Sequence, residues 1–187
     1  MPVLHKHDSY FGHVVRPGKL QVAEQTPKAI EGFPEPTNTT DVRSFLGLCN
    51  VFRRFVPNFA RVAAPLNLML QKGQPDKFDE LTDEQKAAFN ELKERLISPP
   101  ILALPQPHGH YVLDTDACDK QVGCVLMQEQ EGTLRPIGYW SRSLTPAEKN
   151  YDTTQREWLA VVWAILLLRP YLEMQKFTVR TDHDALR

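Results

Sequence analysis

The chain has 187 residues and a mass of 21.4 kDa, enough for one ordinary domain or two small ones. Charged residues make up 24% and the hydrophobic set 42%, a globular composition that excludes a wholly disordered or collagen-like protein. Lys+Arg 22 against Asp+Glu 23 gives a formal charge of -1, so a polyanionic partner would have to be met by local patches.

The first predicted element is a hairpin, Phe11–Val15 and Leu20–Val22 around the turn Arg16-Pro17-Gly18-Lys19. Thr26-Pro27 has the form of an N-cap followed by Pro at N1 and opens a short helix that Gly32 and Pro34 close. Helical periodicity then holds in three pieces from Asn38 to Ser98. Asn38 or Thr39 caps the first, and Val42, Phe45, Leu46, Cys49, Phe52 and Phe55 form an apolar stripe that Pro57 ends. A second helix is expected over Phe59–Leu70, bent or restarted at Pro65. The third starts at the capping box Thr82–Gln85 and buries Ala88, Phe89, Leu92 and Leu96 before Pro99-Pro100. Three short one-sided helices imply a small bundle.

After Pro107 the pattern changes. Tyr111–Asp116, Val122–Gln128 and Arg135–Ser141 read as strands, and Thr145–Glu148 is another capping box. A helix over Thr154–Leu168 is apolar nearly all round and is expected to be buried against a sheet. Lys176–Thr181 is a further strand, so strand, helix and strand call for a crossover in a mixed α/β sheet. The fold class is therefore α+β to α/β: a helical region, then a mixed sheet with a crossover helix.

Three cysteines, Cys49, Cys118 and Cys124, show no metal-ligand spacing and read as free thiols in a reducing compartment. The N-terminus has no apolar signal-like stretch, and the longest apolar run, from Trp158 to Leu168, falls short of the roughly 20 residues a membrane span needs. The expectation is an intracellular protein that is neither secreted nor membrane-bound.

Candidate chemistry gathers on acidic residues at element ends. Asp116 closes the first strand of the second half, Glu157 lies in the first turn of the long helix, and Asp182 closes the last strand. Carboxylates at strand C-termini beside a helix start form the usual crevice of an α/β sheet. Hard oxygen ligands without Cys or His spacing favour Mg²⁺ or Mn²⁺, and two such ions roughly 3.5–4 Å apart would activate water at a phosphodiester. Equally open are strand-end turns for Asp116 and Asp182, and a backbone cap for Glu157, since Thr154–Glu157 is itself a capping-box pattern. Asp114 is an extra ligand or a surface residue. From Arg43 to Lys72 the chain carries five basic residues and no acidic one, and Arg53, Arg54 and Lys72 could meet phosphates or simply face water.

Phe11-Gly12-His13-Val14-Val15, Arg43–Leu48, Phe52–Phe59 and Ala64-Pro65-Leu66 resemble the segment after the polymerase palm in gypsy-type (Metaviridae) LTR retrotransposon Pol polyproteins. Thr115-Asp116-Ala117, Ser141–Tyr151, Glu157–Ala164 and Arg180–His183 resemble the same family's ribonuclease H domain. The resemblance implies a reverse transcriptase palm tail over 1–34, thumb or connection helices over 35–104, and the N-terminal part of a ribonuclease H-like domain over 105–187. It implies Asp116, Glu157 and Asp182 as catalytic ligands of two Mg²⁺ (or Mn²⁺) ions, and Arg53, Arg54 and Lys72 as contacts to a template–primer duplex. The implied partners are an RNA–DNA hybrid and the remainder of the polyprotein. The family's polymerase motif Tyr-x-Asp-Asp does not occur, and its fourth ribonuclease H carboxylate is expected beyond Arg187. The implied alternatives are thus a metal-dependent endonuclease segment and an inactive remnant that at most binds duplex nucleic acid.

Overall fold

The computed structural model describes residues 8–10, 13–23 and 25–181. Strands β2 (His13–Arg16) and β3 (Lys19–Val22) form the expected hairpin around Pro17-Gly18, where Gly18 takes a φ of +70° that suits a residue without Cβ. Phe11 and Gly12 lie outside the described residues. Strand β1 (Asp8–Tyr10) pairs on the other side of β2, and after the short helix α1 (Gln25–Glu31) the chain leaves this sheet.

Helix α2 (Thr39–Val51) begins where Asn38 Oδ1 accepts the Asp41 N–H at 2.9 Å. Its predicted stripe is buried in full, including Phe52 and Phe55, although regular helix stops at Val51 and a 3₁₀ turn (Arg53–Phe55) carries the last ring. The next expected helix restarts as anticipated: α3 (Phe59–Val62), then α4 (Ala64–Leu68) with Pro65 in its first turn. Helix α5 (Asp83–Ile97) starts at a reciprocal Thr82/Gln85 capping box and buries Ala88, Phe89, Leu92 and Leu96. The Phe45 and Phe89 rings meet at 4.5 Å in the middle of this helical core. A two-residue strand, β4 (Leu102–Ala103), then pairs with β3, completing a first sheet in the order β1-β2-β3-β4.

Strands β5 (Tyr111–Ala117), β6 (Gln121–Gln130) and β7 (Thr133–Ser143) form an antiparallel meander. The tight β6–β7 turn places Glu131 and Gly132 both at positive φ, as a two-residue hairpin loop demands. Helix α6 (Thr153–Leu167) and the short α7 (Arg169–Leu172) cross over to β8 (Phe177–Arg180), which pairs parallel to β5 from Tyr111↔Phe177 to Asp114↔Arg180. The second sheet is therefore mixed, ordered β7-β6-β5-β8, with β7 and β8 at its edges.

Leu113, Cys124 and Leu126 pack with Ala164 and Leu168, so one face of this sheet lies under α6. Only one stripe of that helix is covered. Trp158, Val162 and Leu166, at i, i+4 and i+8, are 53%, 50% and 68% exposed, which corrects the expectation of burial nearly all round. Among the described residues no helix is long and apolar enough to cross a membrane.

Candidate functional site

The direction of α6 decides where its first turn lies. Ala160 packs with Val122 and Ala117 near the end of β5, whereas Ala164 and Leu168, further along α6, share a cluster with Leu113 and Tyr111. The helix thus runs antiparallel to β5, and its N-terminus stands at the strand's C-terminal end, where Asp116 is. Glu157 belongs to the buried stripe Glu157, Ala160, Val161, Ala164 and is only 5% exposed. It is not the helix cap: the capping box is formed one step earlier, by Asp152 and Gln155.

Asp116 is exposed and projects from the other face, alternating with Thr115. Together with Pro57, Asn58, Asp114, Gly123 and Tyr139 it lines a cavity of about 190 Å³, and Glu157 is not among the described lining residues. Asp116 and Glu157 thus both belong to the C-terminal end of β5, Glu157 on the side that α6 covers. Asp182 lies outside the described residues. Among the described residues there is no group of three or more His, Cys, Asp or Glu side chains that could hold a metal ion. Asp114 is engaged elsewhere, in a bidentate pair with Arg180 whose two contacts are each 2.6 Å.

The basic residues are placed in a different way from one another. Arg53 Nη2 donates to the Ser141 carbonyl at 2.7 Å and its guanidinium lies 5.4 Å from the Phe59 ring centre. Arg54 Nη2 donates to the Ile137 carbonyl and to Tyr171 Oη, both at 3.4 Å, with its guanidinium 5.1 Å from the Trp140 ring. Both arginines thus reach from the helical region onto edge strand β7. The Ala60 N–H donates to Ser141 Oγ beside them, at 2.9 Å. Lys72 is exposed in the turn after α4. Arg43, Arg53 and Arg142 line a groove of about 560 Å³ along this seam. Arg142 is also bidentate to Glu148, and this partner, with the Thr145 N–H, pulls the Glu148 carboxyl down to about 2.

Sequence reasoning missed Asn58 and Gly123. Asn58 Oδ1 accepts Gln121 Nε2 at 3.2 Å, and Gly123 is the cross-strand partner of Asp116. Neither carries a local signal, because the pairing of Gly123 with Asp116 depends on the register between the adjacent strands β5 and β6. The three cysteines are free, and burial pushes the Cys49 and Cys124 thiols up to about 12.

A mixed sheet crossed by α6 and α7, a carboxylate near the end of its central strand β5 and another buried at the start of α6 define a ribonuclease H-like domain fused to a helical region. Residues 81–179 match the RNase H-like domain found in reverse transcriptase, and the chain belongs to that family. It is 38% identical over 184 residues to the retrovirus-related Pol polyprotein from transposon 297 of Drosophila melanogaster, covering 98% of this chain and 17% of that protein. It is 35% identical to the corresponding polyprotein of transposon 412 from the same organism, covering 95% and 14% respectively. The chain thus spans about a sixth of the curated relatives it matches. Its fold is shared with the foamy viral protease-reverse transcriptase solved with an RNA/DNA hybrid, at a TM-score of 0.80 and 19% identity, over 97% of this chain and 24% of that one. The same holds for that protein with double-stranded DNA, at a TM-score of 0.82, where 38% of that chain is covered.

Proposed function

We propose that this chain is the segment of a retrotransposon Pol polyprotein that carries the thumb or connection helices (35–104) and the first part of a metal-dependent ribonuclease H (105–187), behind a palm tail (1–34). Its substrate is the RNA strand of an RNA–DNA hybrid. The observation that carries the reading is the antiparallel run of α6 along β5, which sets the buried Glu157 at the strand end that Asp116 closes. A carboxylate in an otherwise apolar helix stripe needs a polar reason to be there.

The donor set fits a hard divalent cation. The Thr115 hydroxyl, next to Asp116 in sequence but on the α6-facing side of β5, is buried with no hydrogen-bond partner among the described residues, and the carboxylates of Asp116 and Glu157 are hard oxygen donors. Asp116, Glu157 and Asp182 would hold Mg²⁺ or Mn²⁺, which, when bound, supplies water activation and charge stabilisation at the phosphodiester. The protein's own part is orientation: packing against the sheet fixes Glu157, and the exposed Asp116 faces the strand to be cut.

The test is cleavage of a labelled RNA–DNA hybrid in Mg²⁺ by the reverse transcriptase–ribonuclease H protein that contains this segment. D116N and E157Q should each lower the rate at least about 100-fold, some 2.7 kcal/mol of barrier. Undiminished cleavage by D116N removes the reading. A second reading, duplex binding without hydrolysis, is favoured by the arginine-lined groove at Arg43, Arg53 and Arg142. It predicts salt-dependent binding that is indifferent to D116N.

A further inference from the structure

We propose that Asn58, supplied by the helical region, contacts the substrate strand at the Asp116 site: its carboxamide donates a hydrogen bond to a backbone oxygen, phosphate or 2′-hydroxyl. The proposal rests on the reading of Asp116 as the reactive end of β5.

Asn58 occupies the N-cap position of α3 but makes no side-chain cap bond. Its backbone is left-handed, φ 54° and ψ 33°, a conformation asparagine tolerates better than most residues. The side chain is turned across the seam instead, where Oδ1 accepts from Gln121 Nε2 at 3.2 Å. With Oδ1 taking that bond, Nδ2 has no hydrogen-bond partner among the described residues and is the donor available to a ligand.

The place it reaches is built for it. Asn58 and Asp116 line the same cavity of about 190 Å³. Gly123 pairs with Asp116 across the ladder, and a Cβ there would stand 3.1 Å from Asn58 Oδ1, so a side chain at this position would press on the amide. The loop carrying Asn58 is pinned at both ends. The Pro57 carbonyl accepts Arg95 Nη1 from α5 at 2.8 Å, and the Ala60 N–H donates to Ser141 Oγ on β7 at 2.9 Å. A donor held this firmly is preorganised for an oxygen acceptor, and a nucleic-acid backbone is rich in such oxygens.

The experiment uses the whole chain, with anisotropy measurements on an RNA–DNA hybrid and on a DNA duplex of the same sequence, with and without Mg²⁺. N58G keeps the left-handed backbone and removes only the carboxamide; N58D keeps the shape and replaces donor by acceptor. N58G should weaken hybrid binding about tenfold, the size of one hydrogen bond to a charged oxygen, with the melting temperature held within about 2 °C. N58D should weaken it further by repulsion from phosphate. Equal losses on both duplexes assign the phosphate, and a loss confined to the hybrid assigns the 2′-hydroxyl. Unchanged binding in N58G, while D116N abolishes the Mg²⁺ dependence, overturns this inference and leaves the Asp116 reading standing. Indifference to both variants overturns both. A melting temperature lowered enough to account for the lost binding assigns Asn58 to the fold alone and likewise overturns it.

Discussion

Replacing Arg53 by alanine tests whether this residue serves the fold or a phosphate. The substitution deletes the 2.7 Å hydrogen bond to the Ser141 carbonyl, a 3.3 Å bond to Asn50 Oδ1 and the contact over Phe59. A hydrogen bond to a charged group is worth about 1.5–3 kcal/mol and a half-exposed cation–π contact about 0.5–1 kcal/mol. Allowing for solvent at a half-buried side chain, R53A should cost about 2–3 kcal/mol. For a chain of this size that is about 4–12 °C in melting temperature. The assay is a thermal melt followed by circular dichroism, beside the salt dependence of duplex binding for the same variant. A purely phosphate-binding arginine would give the reverse: an unshifted melt and a binding slope shallower by about one. A melt for R53A within about 1 °C of the parent refutes the seam role.

Two further outcomes follow from titratable groups. Glu148 has its folded value lowered from 4.5 to about 2, so its pairing with Arg142 stabilises the protein above about pH 4.5 and is lost as pH falls towards 2. E148Q should flatten the decline of melting temperature over that interval and cost at most about 1 kcal/mol at neutral pH, since the Arg142 partner is partly exposed. Thiol labelling at pH 8 should find Cys118 alone reactive in the native chain and all three cysteines after unfolding, because burial keeps Cys49 and Cys124 protonated. Fast labelling of Cys49 in native conditions would contradict its place in the helical core.

Local signals carried most of the element assignments. The Asn38 cap, the Thr82/Gln85 box, the restart at Pro65 and the i, i+3, i+4 stripe of α2 all depend on neighbours within a turn or two, and each is present in the structure. Non-local placement was another matter. Two residues between proline-rich stretches gave no hint that Leu102 and Ala103 would pair with Lys19 and Leu20. Arg53 and Arg54 were legible as basic but not as lying against a strand more than eighty residues later, because nothing in a helical pattern states which tertiary neighbour a side chain meets. Glu157 had two local readings, cap or inward carboxylate. The choice is settled by Asp152 and Gln155, which form the box and leave Glu157 on the buried stripe of α6.

The uncovered band of Trp158, Val162 and Leu166 bears on how the chain behaves as a solute. A formal charge of -1 gives molecules little mutual repulsion near neutral pH, and three large apolar side chains in a row offer them a place to adhere. Sulfate salts, which strengthen apolar association, should therefore bring the chain out of solution at low concentration, and acidic substitutions along that band should hold it in.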